Sequence, residues 1–140
     1  MTIVLDTSGL LAAIDESQRF HDRAREVLEE AQTSLVLSPF VLAELDYLVS
    51  TRIDLDAEVA VLGEVERGAY YLEPFSTEDV QAARHLIRSY GDLGIGLADA
   101  SNVVLCHRHD TLDILTLDQR HFRTLRGPRD RSFHLLPLDA

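Results

Sequence analysis

The chain has 140 residues, 46% of them hydrophobic, and a formal net charge of −11, which fits one domain over residues 1–140 and excludes an intrinsically disordered chain. No apolar run is long enough to span a membrane, and Asp6 interrupts the apolar N-terminus, so a secretory signal is not expected. The single cysteine, Cys106, excludes an internal disulfide, and we expect a cytoplasmic protein.

The predicted elements alternate between short apolar runs, typical of strands, and longer amphipathic runs, typical of helices. Strands are predicted at 2–5, 34–37, 69–75, 112–117 and 133–138. Helices are predicted at 8–15, 20–31, 39–52, 56–67, 76–90, 97–108 and 121–125. Ser38-Pro39 is typical of a helix start, Gly68 of a helix end, and Ser76 with Asp79 of a capping box. This alternation predicts an α/β fold, a single-domain α/β/α sandwich with a mostly parallel sheet.

Two acidic residues follow predicted strands directly. Asp6 comes after the first strand, and Asp118 comes after the strand at 112–117. In a parallel sheet the ligand site lies beyond the carboxyl ends of the strands, so both are expected at that edge. For either residue alone, an N-cap of the following helix is the better interpretation.

Glu44 lies in an almost wholly apolar predicted helix, with no arginine one turn away. An ionised carboxylate in apolar surroundings costs on the order of several kcal/mol unless it is paired. We therefore expect Glu44 to meet a bound cation. Asp46, two positions on, points to another face of the helix and is expected to be solvated.

Asp99 lies near the start of the helix at 97–108, where the helix dipole alone would favour an acid. Asn102, three residues on, could hold Asp99 in place, and Asp92 is interpreted as a helix stop, a loop cap or an accessory acid. Four acids that converge predict an oxygen-ligand site for Mg²⁺ or Mn²⁺, because like charges this close require cations or bound protons. One or two such ions would hold a phosphodiester and activate water without any lysine.

All 13 basic residues are arginine, and without lysine the chain can form neither a Walker A loop nor a Schiff base. The charge is uneven: residues 1–105 contain 7 arginines against 19 acids, and residues 106–140 contain 6 against 5. We expect a polyanion to bind at this more basic end, with Arg120, Arg123 and Arg126 as candidates. A solvated surface with scattered arginines is an equal alternative.

The acidic residues belong to an ordered set of motifs that covers essentially the whole chain. The motifs are Asp6-Thr-Ser, Ser38-Pro39 with Glu44, Asp92-Leu-Gly-Ile-Gly-Leu-Ala-Asp99-Ala and Leu115-Thr-Leu-Asp118-Gln-Arg-His-Phe122. No single motif is specific, but the ordered set closely resembles the PIN domain, in particular VapC-type toxins of type II toxin–antitoxin systems. The resemblance implies hydrolysis of RNA phosphodiesters, commonly in transfer or ribosomal RNA. It also implies that Asp6, Glu44, Asp99 and Asp118 surround Mg²⁺ or Mn²⁺.

The same resemblance implies assisting residues and partners. Asp6 and Asp99 match direct ligand positions, whereas Thr7 or Ser8, together with Thr116, match hydroxyls that brace the acids. A homodimer is implied, as is a VapB-type antitoxin whose C-terminal segment wraps the toxin. A basic antitoxin segment would suit the charge of −11, whereas RNA would depend on the metals and the arginine-rich end for positive charge.

Several alternatives stay open. A phosphoryl-transfer enzyme or receiver domain also places acids around Mg²⁺, but both rely on a lysine, and a haloacid-dehalogenase-like phosphatase needs a second Asp where Ser8 stands. A PIN-like RNA-binding or scaffold module without catalysis, or a PIN nuclease outside a toxin system, remains possible on the residues alone. His121, three residues after Asp118, could touch RNA but is better interpreted as a helix-surface residue, and zinc at His107 and His109 is not expected.

Overall fold

A five-stranded sheet forms the centre of the computed structural model, which describes residues 2–140. The strands are β1 (Thr2–Leu5), β2 (Ser34–Leu37), β3 (Tyr71–Leu72), β4 (Asp113–Leu115) and β5 (His134–Leu136). Their order is β3-β2-β1-β4-β5, and every neighbouring pair is parallel. The predicted parallel sheet is confirmed, and its central strand is the apolar run at the N-terminus.

Seven α-helices within residues 2–140 connect and cover the strands. They are α1 (Thr7–Ile14), α2 (His21–Glu30), α3 (Pro39–Arg52), α4 (Leu55–Glu66), α5 (Thr77–Ser89), α6 (Leu97–Arg108) and α7 (Gln119–Phe122). None of these helices combines the length and the apolar composition that a membrane crossing requires.

The core has two halves, one on each face of the sheet, because successive strand residues point to opposite faces. Ile3 and Leu5 of β1 pack with apolar residues of α1 to α4. Val4, between them, packs on the other face with residues of α5, α6 and the C-terminal segments. These two layers of helices confirm the predicted α/β/α sandwich.

The elements differ from their predicted bounds mainly at their ends. The predicted strand at 69–75 pairs only over Tyr71–Leu72, because its neighbour β2 ends at Leu37 and the chain enters α3 at Pro39. The strands at 112–117 and 133–138 are likewise shortened to β4 and β5. The last α-helix begins at Gln119 rather than at 121, because the Asp118 side chain caps it by accepting from the His121 N–H. A 3₁₀-helix over Pro128–Asp130 was not predicted.

The carboxyl end of β1 is fixed tightly against that of β4. The Asp6 N–H donates to the Leu115 carbonyl at 2.9 Å, and α1 begins at the next residue. Gly9 allows α1 to approach this closely, since a Cβ there would lie 2.5 Å from the Leu115 carbonyl oxygen. The first turn of α1 is thereby held over the strand end where Asp6 lies.

Candidate functional site

A cavity of about 540 Å³ opens at the carboxyl ends of β1 and β4. Four segments contribute the acids that line it, because strand ends, α3 and the first turn of α6 meet at this edge. These acids are Asp6, Glu44, Asp99 and Asp118. The structure therefore brings together the four carboxylates predicted from the sequence. Their role as metal ligands remains a prediction.

Asp6 is buried, with 4% of its surface exposed, and side chains from three elements hold it. Its Oδ1 accepts from Asn102 Nδ2 at 3.0 Å, and its Oδ2 accepts from Thr116 Oγ1 at 2.7 Å and from Ser8 Oγ at 3.2 Å. Burial raises the pKa of Asp6 to about 7; the hydrogen bond from Thr116 opposes this rise, and the Asp99 carboxylate adds to it. A carboxylate fixed in place but lacking a counter-charge is one that a cation would stabilise.

Thr116 connects the two strand ends through one hydroxyl. While its Oγ1 donates to Asp6, it also accepts from the Asp118 N–H at 3.0 Å. The Ser8 hydroxyl lies 3.2 Å from it and accepts from the Leu117 N–H at 2.9 Å. These contacts agree with the bracing role predicted for Ser8 and Thr116. The Thr7 hydroxyl is buried without a hydrogen-bond partner in the described chain, and this residue supports Asp6 through its backbone N–H.

Asp99, Asp118 and His121 form the densest group of potential ligands in the part of the chain that the structure describes. One ligand atom from each lies within 4.8 Å of the others. His121 Nδ1 is 2.9 Å from Asp99 Oδ2 and 2.9 Å from Asp118 Oδ2, although neither contact has hydrogen-bond geometry. Burial raises the pKa of Asp99; the contact with His121 opposes this rise, and the Asp118 carboxylate adds to it.

Three interpretations of the acidic residues are corrected. Glu44 is exposed toward the cavity rather than held in apolar surroundings, so the burial argument for its cation was wrong although its position is as predicted. Asn102 holds Asp6, not Asp99, because α6 lays this buried amide over the end of β1. Of the three interpretations of Asp92, only the accessory acid is contradicted, because Asp92 is exposed beside a separate hollow with Arg88 and does not line the acidic cavity.

His121 was interpreted as a helix-surface residue, and this was wrong. Because α7 begins at Gln119, its first turn carries His121 back over the Asp118 carboxylate and against Asp99. In the sequence, the signal for this contact was the spacing of three residues between Asp118 and His121. That spacing brings the two side chains together only because α7 begins directly after Asp118.

The arginines predicted to bind RNA lie outside the acidic cavity. Arg123 forms a two-bond ion pair with Asp139, both contacts being 2.7 Å, and Arg126 binds Ser132. Arg120 is exposed. The arginine that does line the cavity is Arg52, which the sequence reasoning missed. The sequence signal for Arg52 was its position on α3, four residues after Leu48 and eight after Glu44, because residues spaced by four share one face of a helix.

The residues present suit a divalent cation. The acidic donors are carboxylate oxygens, which Mg²⁺ and Mn²⁺ prefer, and the lining residues supply several from different elements. Burial raises the pKa of both Asp6 and Asp99, and a cation bound beside these carboxylates would oppose that rise. The buried, unpartnered hydroxyl of Thr7 is a further polar atom in this cavity wall.

Comparison with known proteins agrees with this geometry. The PIN domain family matches residues 3–127, and the chain belongs to this family. It is 44% identical over 135 residues to Ribonuclease VapC26 of Mycobacterium tuberculosis, an alignment that covers 96% of this chain and 100% of that relative. The resemblance to VapC-type PIN domains is thereby confirmed.

Solved structures share the fold at lower identity. VapC20 of Mycobacterium tuberculosis, described as a sarcin-ricin loop cleaving toxin, superposes with a TM-score of 0.77 at 18% identity, over 83% of this chain and 89% of that one. VapBC2 from Rickettsia felis, bound to a DNA fragment from its promoter, gives 0.68 at 20%, over 96% and 98%. FitAcB from Neisseria gonorrhoeae gives 0.63 at 22%, over 87% and 91%.

Proposed function

We propose that this chain is a metal-dependent ribonuclease and the toxin of a type II toxin–antitoxin pair. The observation that carries the proposal is the convergence of four carboxylates, from four segments, on one cavity in which none of them is ion-paired with an arginine of residues 2–140. The high identity to a protein named Ribonuclease VapC26 supports the same activity.

Asp6, Glu44, Asp99 and Asp118 would hold Mg²⁺ or Mn²⁺. The ion supplies polarisation of a phosphodiester and neutralises the charge that develops during hydrolysis. The chain itself supplies orientation: the amide of Asn102 and the hydroxyls of Ser8 and Thr116 hold the Asp6 carboxylate in one position. Because the Asp6 carboxylate is fixed before the metal and the RNA bind, less free energy is spent on orienting it during the reaction.

Transfer or ribosomal RNA is the substrate class we propose, together with a cytoplasmic location for the enzyme. A VapB-type antitoxin is the proposed partner, since the structural relatives include VapBC2 and a basic segment would meet a chain of net charge −11. We also propose a homodimer. Exposed apolar side chains on α4, namely Leu55, Val59 and Leu62, provide a surface suited to protein contacts.

The decisive experiment is cleavage of total cellular RNA by the purified chain with Mg²⁺, with Mn²⁺ and with a chelator, beside the Asp6→Asn variant. Discrete fragments that need metal and vanish in the variant are expected, and mapping their ends identifies the target. Metal binding by thermal shift without any cleavage would favour the alternative function, a PIN-like RNA-binding or scaffold module. Cleavage that persists in chelator would contradict the metal-dependent mechanism.

A further inference from the structure

The wall of the acidic cavity contains one basic side chain that the proposed reaction leaves unused. Arg52 is the last residue of α3, and it is exposed. It lies one and two turns beyond Leu48 and Glu44, all three lining the cavity. Among the described residues that line this cavity, it is the only arginine.

Arg52 also lacks an ion-pair partner among residues 2–140, although the chain has 24 acidic residues against 13 arginines. Five arginines pair with carboxylates, among them Arg108 with Glu73 and Asp79 and Arg129 with Asp110. Of the remaining arginines among residues 2–140, Arg52 is the one that lines the acidic cavity. An unpaired guanidinium beside a cluster of carboxylates is available to a ligand. Its planar set of donors matches the oxygens of a phosphate.

We propose that Arg52 binds a phosphate of the RNA that flanks the phosphate being cleaved. This inference rests on the proposed function. An α-helix rises about 1.5 Å per residue, so Glu44 and Arg52 lie about 12 Å apart along α3. This spacing along the cavity wall gives a neighbouring phosphate a place of its own beside Arg52, and Leu48 lies between the two charged residues. The RNA backbone therefore runs along α3, with the cleaved phosphate at the carboxylates and a neighbouring phosphate at Arg52.

This contact matters because the other charged side chains that line the cavity are all carboxylates. The net charge of −11 opposes association with a polyanion. Each arginine–phosphate contact favours association, because it releases counterions that were condensed on the single-stranded RNA. A purely structural role for Arg52 is the favourable interaction of a cation with the carboxyl end of α3. The structural role affects stability but not the affinity for RNA or its dependence on salt, so the two roles can be separated.

The test measures affinity rather than cleavage. A fluorescent single-stranded RNA is titrated in Mg²⁺, over a range of salt concentrations, against the Asp6→Asn protein, which serves as the parent because it does not consume the RNA. Arg52→Gln is added to this parent, and we expect about tenfold weaker binding. The slope of log affinity against log salt should fall in magnitude by about 0.7, the value for one phosphate contact with a single strand.

Two further variants act as controls. Arg67→Gln removes the same charge just beyond the end of the neighbouring helix α4, outside the cavity, and should leave affinity and slope unchanged. Arg52→Lys keeps the charge and should keep most of the salt slope. Melting curves recorded by circular dichroism verify that each variant is folded. Equal affinity and slope for Arg52→Gln and the parent, or an equal loss in Arg67→Gln, overturns the proposal, and so does the absence of any RNA binding by the parent.

The position of the phosphate is tested with RNA in which single phosphates around the mapped cleavage site are replaced by neutral methylphosphonates. At the flanking position, the replacement should weaken binding by the parent but not by its Arg52→Gln form. If the effect of the replacement depends on Arg52 only at the cleaved phosphate, and at no flanking phosphate, the flanking assignment is overturned. If the wild-type chain cuts no RNA with either metal, the proposed function fails; the affinity and salt comparison is still readable, because it does not depend on cleavage.

Discussion

Two acidic clusters follow strand ends in this molecule, and their neighbours differ. At Glu73, directly after β3, Arg108 Nη1 donates to Oε2 at 2.9 Å and His109 Nε2 lies 2.8 Å from Oε1. Arg108 also pairs with Asp79, and its hydrogen bond lowers the pKa of that carboxyl. At Asp6, directly after β1, the side-chain neighbours are neutral or acidic, and burial raises the pKa to about 7.

The comparison shows that an acid at a strand end is not by itself a ligand site. Both Asp6 and Glu73 are buried and follow parallel strands. Arginine compensates the charge of the second cluster within the chain, so that cluster fastens α5 to the end of α6. At the first cluster, neutral donors fix the Asp6 carboxylate without cancelling its charge, and the histidine there, His121, contacts Asp99 and Asp118 instead. Asp6 therefore remains able to bind a cation.

The strongest test of this contrast is Asp6→Asn. We expect cleavage to fall by at least about 100-fold, because a metal ligand is lost. Metal-free stability should hold or rise, since the repulsion from Asp99 disappears and the hydroxyls of Ser8 and Thr116 can rotate to accept from the new amide. Cleavage assays and denaturant unfolding in chelator measure the two effects. Full activity in this variant would disprove the assignment of the site.

Arg108→Met should give the opposite result at the other cluster. Leaving Glu73 and Asp79 without their guanidinium is expected to lower the free energy of unfolding by about 2 kcal/mol, less than for a fully buried pair because Arg108 is partly exposed. Activity per folded molecule should not change. Chemical denaturation beside a cleavage assay measures both. A loss of activity without a loss of stability would show that this cluster, too, serves the reaction.

Thr116→Val separates bracing from folding, and the chain offers a matched control. Thr116 and Thr111 are both buried, and each accepts from the N–H two residues on while donating to another segment. Of these two threonines, only Thr116 donates to Asp6. Each valine should cost about 1–2 kcal/mol of stability, while Thr116→Val alone should reduce cleavage by about tenfold. Equal activity of the two variants would show that the hydroxyl on Asp6 does not matter.

The smallest effect is expected at a surface pair outside both clusters. His134 Nδ1 lies 2.9 Å from Asp113 Oδ1, and this contact raises the pKa of His134. The pair therefore stabilises the fold fully below the ordinary pKa of histidine, about 6.5, and this contribution is lost as the pH rises through the higher folded value. Exposure limits it to a few tenths of a kcal/mol.

Asp113→Asn isolates this contribution. The variant should be less stable than the wild type at pH 5.5 and nearly equal to it at pH 8.5, as measured by denaturant unfolding. A difference that grows toward high pH would contradict the assigned direction of the His134 pKa shift.

Much of the fold was predictable because its signals are local. Ser38 caps α3, and Ser76 with Asp79 forms the capping box of α5, as predicted. The ends of helices and strands that were predicted wrongly are set by contacts with other residues rather than by the local pattern. β3 is only two residues long at the edge of the sheet, and the start of α7 follows from the capping hydrogen bond of Asp118.

The sequence by itself determined the types of element, the parallel sheet, and Asp6 and Asp118 at its edge, since periodicity and caps act between residues a few positions apart. Glu44 and Asp99 joined that set through the ordered motifs that resemble the PIN domain. Only the tertiary structure decided which charges are compensated. Arg108 reaches Glu73 across 35 positions of sequence, and Asn102 reaches Asp6 across 96. Such pairings depend on how helices pack over the strand ends, and no local pattern encodes them.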